Sequence, residues 1–159
     1  MNILAIDTSN QVLGIAIVKD GKLAGEYITN VKKNHSVRLM PAIDLLMKET
    51  ATLPKELDKI VVAKGPGSYT GVRIGLATAK TMAWTLNIPI VGVSSLEVVG
   101  YQGMLYDSLI CPFFDARRGL VYTGLYQSTT TGQLEKVWEE KNVVFIDWLK
   151  QLAKQRKKV

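Results

Sequence analysis

Gly65-Pro66-Gly67-Ser68-Tyr69-Thr70-Gly71 is the stretch on which the fold turns. Before it stands Lys59-Ile60-Val61-Val62-Ala63, a short β-branched run that reads as a buried strand. After it, Val72 to Leu86 reads as a helix. Strand, glycine-rich turn and helix N-terminus together can offer backbone N–H groups to an anion. Val72-Arg73 follows the last glycine, so this is not a phosphate-binding loop of the Lys-Ser or Lys-Thr type. Gly71 falls one residue too late for the dinucleotide fingerprint. The residues leave two readings open: an anion cradle, or a tight βα turn in which Pro66 fixes φ and the glycines take positive φ.

Upstream, Asn2 to Ser9 is an apolar strand ending in small polar residues, and Gln11 to Val18 is a second strand. Asp20-Gly21 is a hairpin turn into a third strand, Lys22 to Thr29, which completes an antiparallel meander. Asn30 to His35 reads as a loop. Ser36 to Thr50 reads as a helix with Leu39, Ile43 and Leu46 on its core face. Met40 and Met47 lie to one side of that stripe and Ala42 and Leu45 to the other, an arc wider than one contact needs. In the helix after the glycine turn, Val72, Leu76, Ala79, Ala83 and Leu86 repeat at 4-3-4-3 spacing. Gly71, Gly75 and Ala79 form a small-residue row, and a glycine inside a soluble helix costs up to about 1 kcal/mol relative to alanine. Close approach of another backbone is the usual compensation, from the protein's own sheet or from a foreign helix.

Ile90 to Val93 is a fifth strand, and a serine-capped helix begins near Ser95. The order β-β-β-α-β-α-β-α is that of the α/β half-domain of actin, Hsp70 and sugar kinases, a ribonuclease H-like arrangement. Strands over Leu109 to Phe114, Leu120 to Tyr126 and Leu134 to Glu139, then a helix from Phe145 to Lys154, repeat the opening of that unit. The expected organisation is an N-terminal domain over residues 1–105 and the start of a second, incomplete copy over residues 106–159.

The chain has 159 residues, 47% apolar and 21% charged, which is globular composition with enough length for a real core. One cysteine, Cys111, excludes an internal disulfide, and one histidine, His35, excludes a multi-histidine metal site. His35, alone before the first long helix, reads as a capping or packing residue. No basic segment followed by an apolar one opens the chain and no apolar run approaches about 20 residues, so neither a signal peptide nor a membrane span is expected. A cytoplasmic setting is the simplest fit. The net charge of +6 is spread along the chain, and Lys154-Gln155-Arg156-Lys157-Lys158 is its one dense cluster. That tail could meet RNA phosphates or stay solvated, and Arg117-Arg118 could meet phosphate, RNA or a partner carboxylate.

Four segments carry a family resemblance: Asn2 to Ser9, His35 to Pro41, Gly65 to Gly75, and Asp115-Ala116-Arg117-Arg118-Gly119. In this order they resemble the TsaB (YeaZ) family of bacterial tRNA threonylcarbamoyladenosine synthesis. The likeness covers essentially the whole chain, and family members continue past its last residue. It implies a catalytically silent paralogue of TsaD, the metal-bearing enzyme that transfers a threonylcarbamoyl group to an adenosine beside the tRNA anticodon. TsaB pairs with TsaD, and the ATPase TsaE joins them. In TsaD-like relatives a His-x-x-x-His pair binds the metal; here Ser95 and Val99 stand at those positions around Glu97, and neither is a useful ligand. The resemblance thus implies no catalytic residue and no intrinsic metal or cofactor, with ATP or ADP and metal on the partner proteins.

The expected working surface is a pair of helices presenting Leu39, Met40, Ile43, Leu46 and Met47 from the first and Gly71, Gly75, Ala79 and Met82 from the second. They would meet two equivalent helices of a TsaD-type partner, or a second copy in a homodimer when alone. Asp7, Thr8 and Ser9 stand where actin-like kinases place an Asp and small hydroxyls near phosphate, and with Gly65 and Gly67 they could contact one; Asp7 with Thr8 could equally cap the strand end. Two other classes remain: a nucleotide-binding actin-fold enzyme or glycoprotease-like hydrolase, and a direct tRNA binder.

Overall fold

The computed structural model describes residues 1–31 and 34–155. Lys32 and Lys33 of the expected loop, and Arg156, Lys157 and Lys158 of the basic tail, lie outside the described residues. Two compact units divide at Val93/Ser94.

In the first unit the meander is β1 (Asn2–Asp7), β2 (Leu13–Lys19) and β3 (Lys22–Thr29). Helix α1 (His35–Glu49), β4 (Lys59–Ala63), α2 (Tyr69–Leu86) and β5 (Ile90–Val93) follow. The sheet order is β3-β2-β1-β4-β5. β1 pairs antiparallel with β2, Ile6 opposite Ile15, and parallel with β4, Leu4 opposite Ile60 and Ile6 opposite Val62. Alternation along these strands sends Leu4, Ile6, Leu13, Ile15, Ile17, Ile60 and Val62 into one core, where Leu39, Ile43, Leu46 and Met47 of α1 and Ala79 and Ala83 of α2 meet them. Pro41 lies inside α1 without ending it.

Both helices start earlier than their apolar periodicity predicts, because polar caps rather than apolar residues set helix beginnings. The Asn34 side chain accepts from Ser36 N–H at 3.1 Å, so Asn34 and not His35 caps α1. The Ser68 hydroxyl accepts from Gly71 N–H at 3.2 Å and moves the start of α2 to Tyr69. Asn87, at φ 54°, ends α2 in the left-handed conformation.

The second unit holds α3 (Ser95–Gly100), β6 (Leu109–Ile110), β7 (Phe113–Asp115), β8 (Leu120–Ser128), β9 (Leu134–Val144) and α4 (Phe145–Leu152). The single strand expected over Leu109 to Phe114 is broken in two at Cys111-Pro112, where proline has no N–H to give the ladder. Both pieces pair antiparallel with β8, whose other edge takes β9. The expected domain boundary at residue 105 moves back to Val93, because α3 packs on β8 and β9. Gly100 faces Leu134 and Tyr126 there, and Leu96 is fully buried. Leu109, Leu125 and Trp148 form the core of this unit, with Trp138 edge-on to Trp148 at 5.3 Å. Trp148 Nε1–H donates to Cys111 Sγ at 3.2 Å. Tyr126 is buried and its hydroxyl donates to Glu140 at 2.6 Å. Burial first, then the Glu140 carboxylate, raises its pKa well above the usual phenol value.

Candidate functional site

The residues singled out for phosphate do converge. Asp7, Thr8 and Ser9 end β1 beside the glycine turn that opens α2. Apart from Ser9 Oγ, the polar groups described there bond within the strand end and the turn. Ser9 N–H donates to Asp7 Oδ1 at 2.8 Å, Ser68 N–H donates to the Ser9 carbonyl at 2.6 Å, and the Thr8 hydroxyl donates to the Gly71 carbonyl at 2.8 Å. A Cβ at Gly67 would collide with the Ser9 carbonyl oxygen, one at Gly71 with the Thr8 carbonyl oxygen, and one at Gly75 with Thr8 Oγ1. The glycines therefore admit the backbone of the β1–β2 connection, which sits where an anion cradle would need open space. His35 Nε2 faces the Asn10 carbonyl at 2.8 Å, so Nε2–H is the donor, and Nδ1 is the other ring nitrogen. That nitrogen and Ser9 Oγ are buried without a partner. On α3, Ser95 is fully buried. Among the described residues, no three of His, Cys, Asp and Glu are grouped to hold a metal ion.

The expected partner face requires the larger correction. Leu39 and Ile43 are each 1% exposed and Leu46 and Met47 are buried with them, all turned into the core of the first unit. Gly71, Gly75 and Ala79 are buried against Thr8 and β4, so the small-residue row serves the protein's own sheet and not a foreign helix. Met82 is half-buried against the same core. Of the nine residues named, Met40 alone is exposed, at 49%. The stripe that best satisfies an amphipathic helix is the one its own sheet claims.

What faces outward is a different set. On α1 it is Val37, Met40 and Leu45; on α2 it is Tyr69, 70% exposed, and Trp84, 85% exposed. Arg73 and Lys80 share the outer side of α2 with the two rings, and at 100° per residue all four fall on one narrow stripe. The Arg73 guanidinium lies over the Tyr69 ring at 3.9 Å. No acidic residue occurs between Lys59 and Leu96, so this stripe is purely cationic and aromatic. The signal was present in the sequence: an exposed-type periodicity carrying two large aromatics where alanine or lysine would suffice.

A family model described as TsaD, tRNA N6-adenosine threonylcarbamoyltransferase, matches residues 23–157. The tRNA threonylcarbamoyladenosine biosynthesis protein TsaB of Bacillus subtilis is 57% identical over all 159 residues. This chain belongs to the TsaB family. The TsaB protein of Escherichia coli is 30% identical over 134 residues, 83% of this chain. The structure of YeaZ from Pseudomonas aeruginosa superposes with a TM-score of 0.84 at 27% identity, over 90% of this chain. The α/β fold expected from the element order is the fold of that structure. The chain spans 69% of the B. subtilis TsaB, 58% of the E. coli TsaB and 67% of the Pseudomonas YeaZ chain. Among the described residues, no helix is long and apolar enough to cross a membrane.

Proposed function

We propose that the protein is a non-catalytic docking subunit of the machinery that makes N6-threonylcarbamoyladenosine beside the tRNA anticodon. It pairs with a TsaD-type transferase and through it with the ATPase TsaE, in the cytoplasm. In this reading ATP or ADP and the metal reside on those partners, tRNA is reached through them, and the free protein forms a homodimer. The observation that carries it is the outer side of α1 and α2: Val37 and Met40 on one helix, Tyr69 and Trp84 on the other, large apolar groups exposed on rigid elements. Two features support catalytic silence. The Thr8 hydroxyl and the Ser9 carbonyl at the glycine turn bond within the chain, and Ser95 and Val99 occupy the positions where the family likeness puts metal-binding histidines in TsaD.

A Gly75→Leu change cannot test this surface, because its side chain would strike Thr8 and unfold the protein. Trp84→Glu is the informative variant: its side chain is exposed, so circular dichroism should be unchanged. Capture of a TsaD-type partner should fall by at least tenfold, as central aromatic anchors at interfaces are worth about 2 kcal/mol or more. Undiminished capture by Trp84→Glu together with Met40→Asp would take this face out of the docking mechanism.

A further inference from the structure

The turn Asp115-Ala116-Arg117-Arg118-Gly119 joins β7 to β8 with an unusual backbone. Arg117, Arg118 and Gly119 hold φ values of 67°, 55° and 74°. The bond from Leu120 N–H to the Arg117 carbonyl makes Arg118 and Gly119 the central pair, which Asn-Gly adopts with least strain, and a residue with a Cβ is strained at both Arg117 and Arg118. The conformation is nevertheless firmly held. Ala116 N–H donates to the Leu120 carbonyl at 2.9 Å, and Leu120 N–H to the Arg117 carbonyl at 3.0 Å. The Asp115 carboxylate accepts from Arg117 N–H at 2.7 Å, and Phe145 N–H, at the start of α4, donates to the Gly119 carbonyl at 2.9 Å. Both strands and a helix thus fix the platform.

The arginine side chains contribute nothing to it. Both residues are exposed, and among the described residues neither guanidinium has an ion-pair partner. Four residues before Arg117, on the same hairpin, Phe113 is 53% exposed, its ring 5.5 Å from that of Phe145. Forked cations fit phosphates in pairs, and an exposed ring fits the face of an unstacked base; together they match single-stranded nucleic acid better than a protein carboxylate, which makes no use of the ring.

We propose that the Arg117–Arg118 turn and Phe113 form a contact for single-stranded RNA, the arginines gripping neighbouring phosphates and Phe113 stacking a base. The contact is independent of the docking face on α1 and α2, and it adds a direct hold on RNA to the one made through the partners. The decisive variant is Arg117→Gly with Arg118→Asn in the full chain, which leaves Asn-Gly at the two central positions of the turn and a glycine at the positive φ before them. Binding of an unmodified tRNA and of an unstructured RNA oligonucleotide is read by fluorescence anisotropy over a salt series. The double variant should melt higher than the parent, yet bind RNA about tenfold or more weakly. Its salt slope should fall by roughly 1.4, two phosphates at about 0.7 each. Arg117→Lys with Arg118→Lys should keep the salt slope and lose part of the affinity, and Phe113→Ala should weaken binding without changing the slope. Capture of the TsaD-type partner should be untouched in all three, so failure here and failure of the docking reading are separable. No RNA binding by the parent, equal RNA binding by the Asn-Gly variant, or loss of partner capture alone would each overturn the proposal, the last by placing the arginines against a protein.

Discussion

Both units contain an antiparallel meander followed by a helix, but they surround it differently. In the first, β1 is bonded along both edges, antiparallel to β2 and parallel to β4, and two helices close one face over a broad core. In the second, β6 and β7 take the place of β1 but pair, among the described residues, only with β8. The second core centres on Leu109, Leu125 and Trp148. The lesson is that a meander with two short helices buries little by itself. The βαβ segment that follows the first meander supplies its second strand partner and much of its apolar cover.

The largest expected effect tests that inequality directly. Trp148 is 1% exposed and holds the second core together, so Trp148→Ala should cost about 3–5 kcal/mol. Because that loss falls on the smaller core, urea unfolding should separate into two transitions, with Trp138 fluorescence changing before the helical signal of α1 and α2. A single coincident transition would mean that the units do not melt independently.

Next comes the glycine clamp of the first unit. Gly67→Ala and Gly71→Ala each drive a Cβ into a carbonyl oxygen of the β1–β2 connection and should cost about 3 kcal/mol. Gly14→Ala, with open space at its Cβ, should change stability by no more than about 1 kcal/mol. Equal effects at Gly14 and Gly67 would leave the turn unconstrained by Thr8 and Ser9, and with room for an anion after all.

The smallest effect is a titration confined to the second unit. Tyr126 keeps its proton in the folded state to a higher pH than in the unfolded chain, where it ionises near 10. Its contribution is therefore complete below pH 10 and is lost as pH rises above it, when the unfolded state alone releases the proton. Chemical unfolding between neutral and alkaline pH should show that decline in the second unit, and Tyr126→Phe should flatten it.

Much of this was readable before any coordinates. The Asp20-Gly21 hairpin, the β-branched run before Gly65 and the 3.6-residue stripe of α1 all carry local signals, and each element formed where its pattern lies. The helix starts were misplaced because one hydroxyl or amide side chain outweighs the apolar period at a terminus, as Ser68 does for α2. The break at Pro112 was legible in principle, since proline interrupts any central ladder. The candidate site was less legible. Leu39, Ile43, Leu46 and Met47 are equally good residues for a core or for an interface, and periodicity cannot say which claims them.

What the sequence by itself determined is the element order and the family: strand and helix periods are local, and the four marker segments are read in one dimension. Tertiary structure alone decided the direction of each face. It turned the glycines of α2 toward Thr8 and Ser9, left Tyr69 and Trp84 outside, and put two arginines in a left-handed turn, their guanidinium groups without an ion-pair partner among the described residues. The physical reason is that burial is a competition among all surfaces of the chain, and its outcome exists only once every strand has found its neighbour.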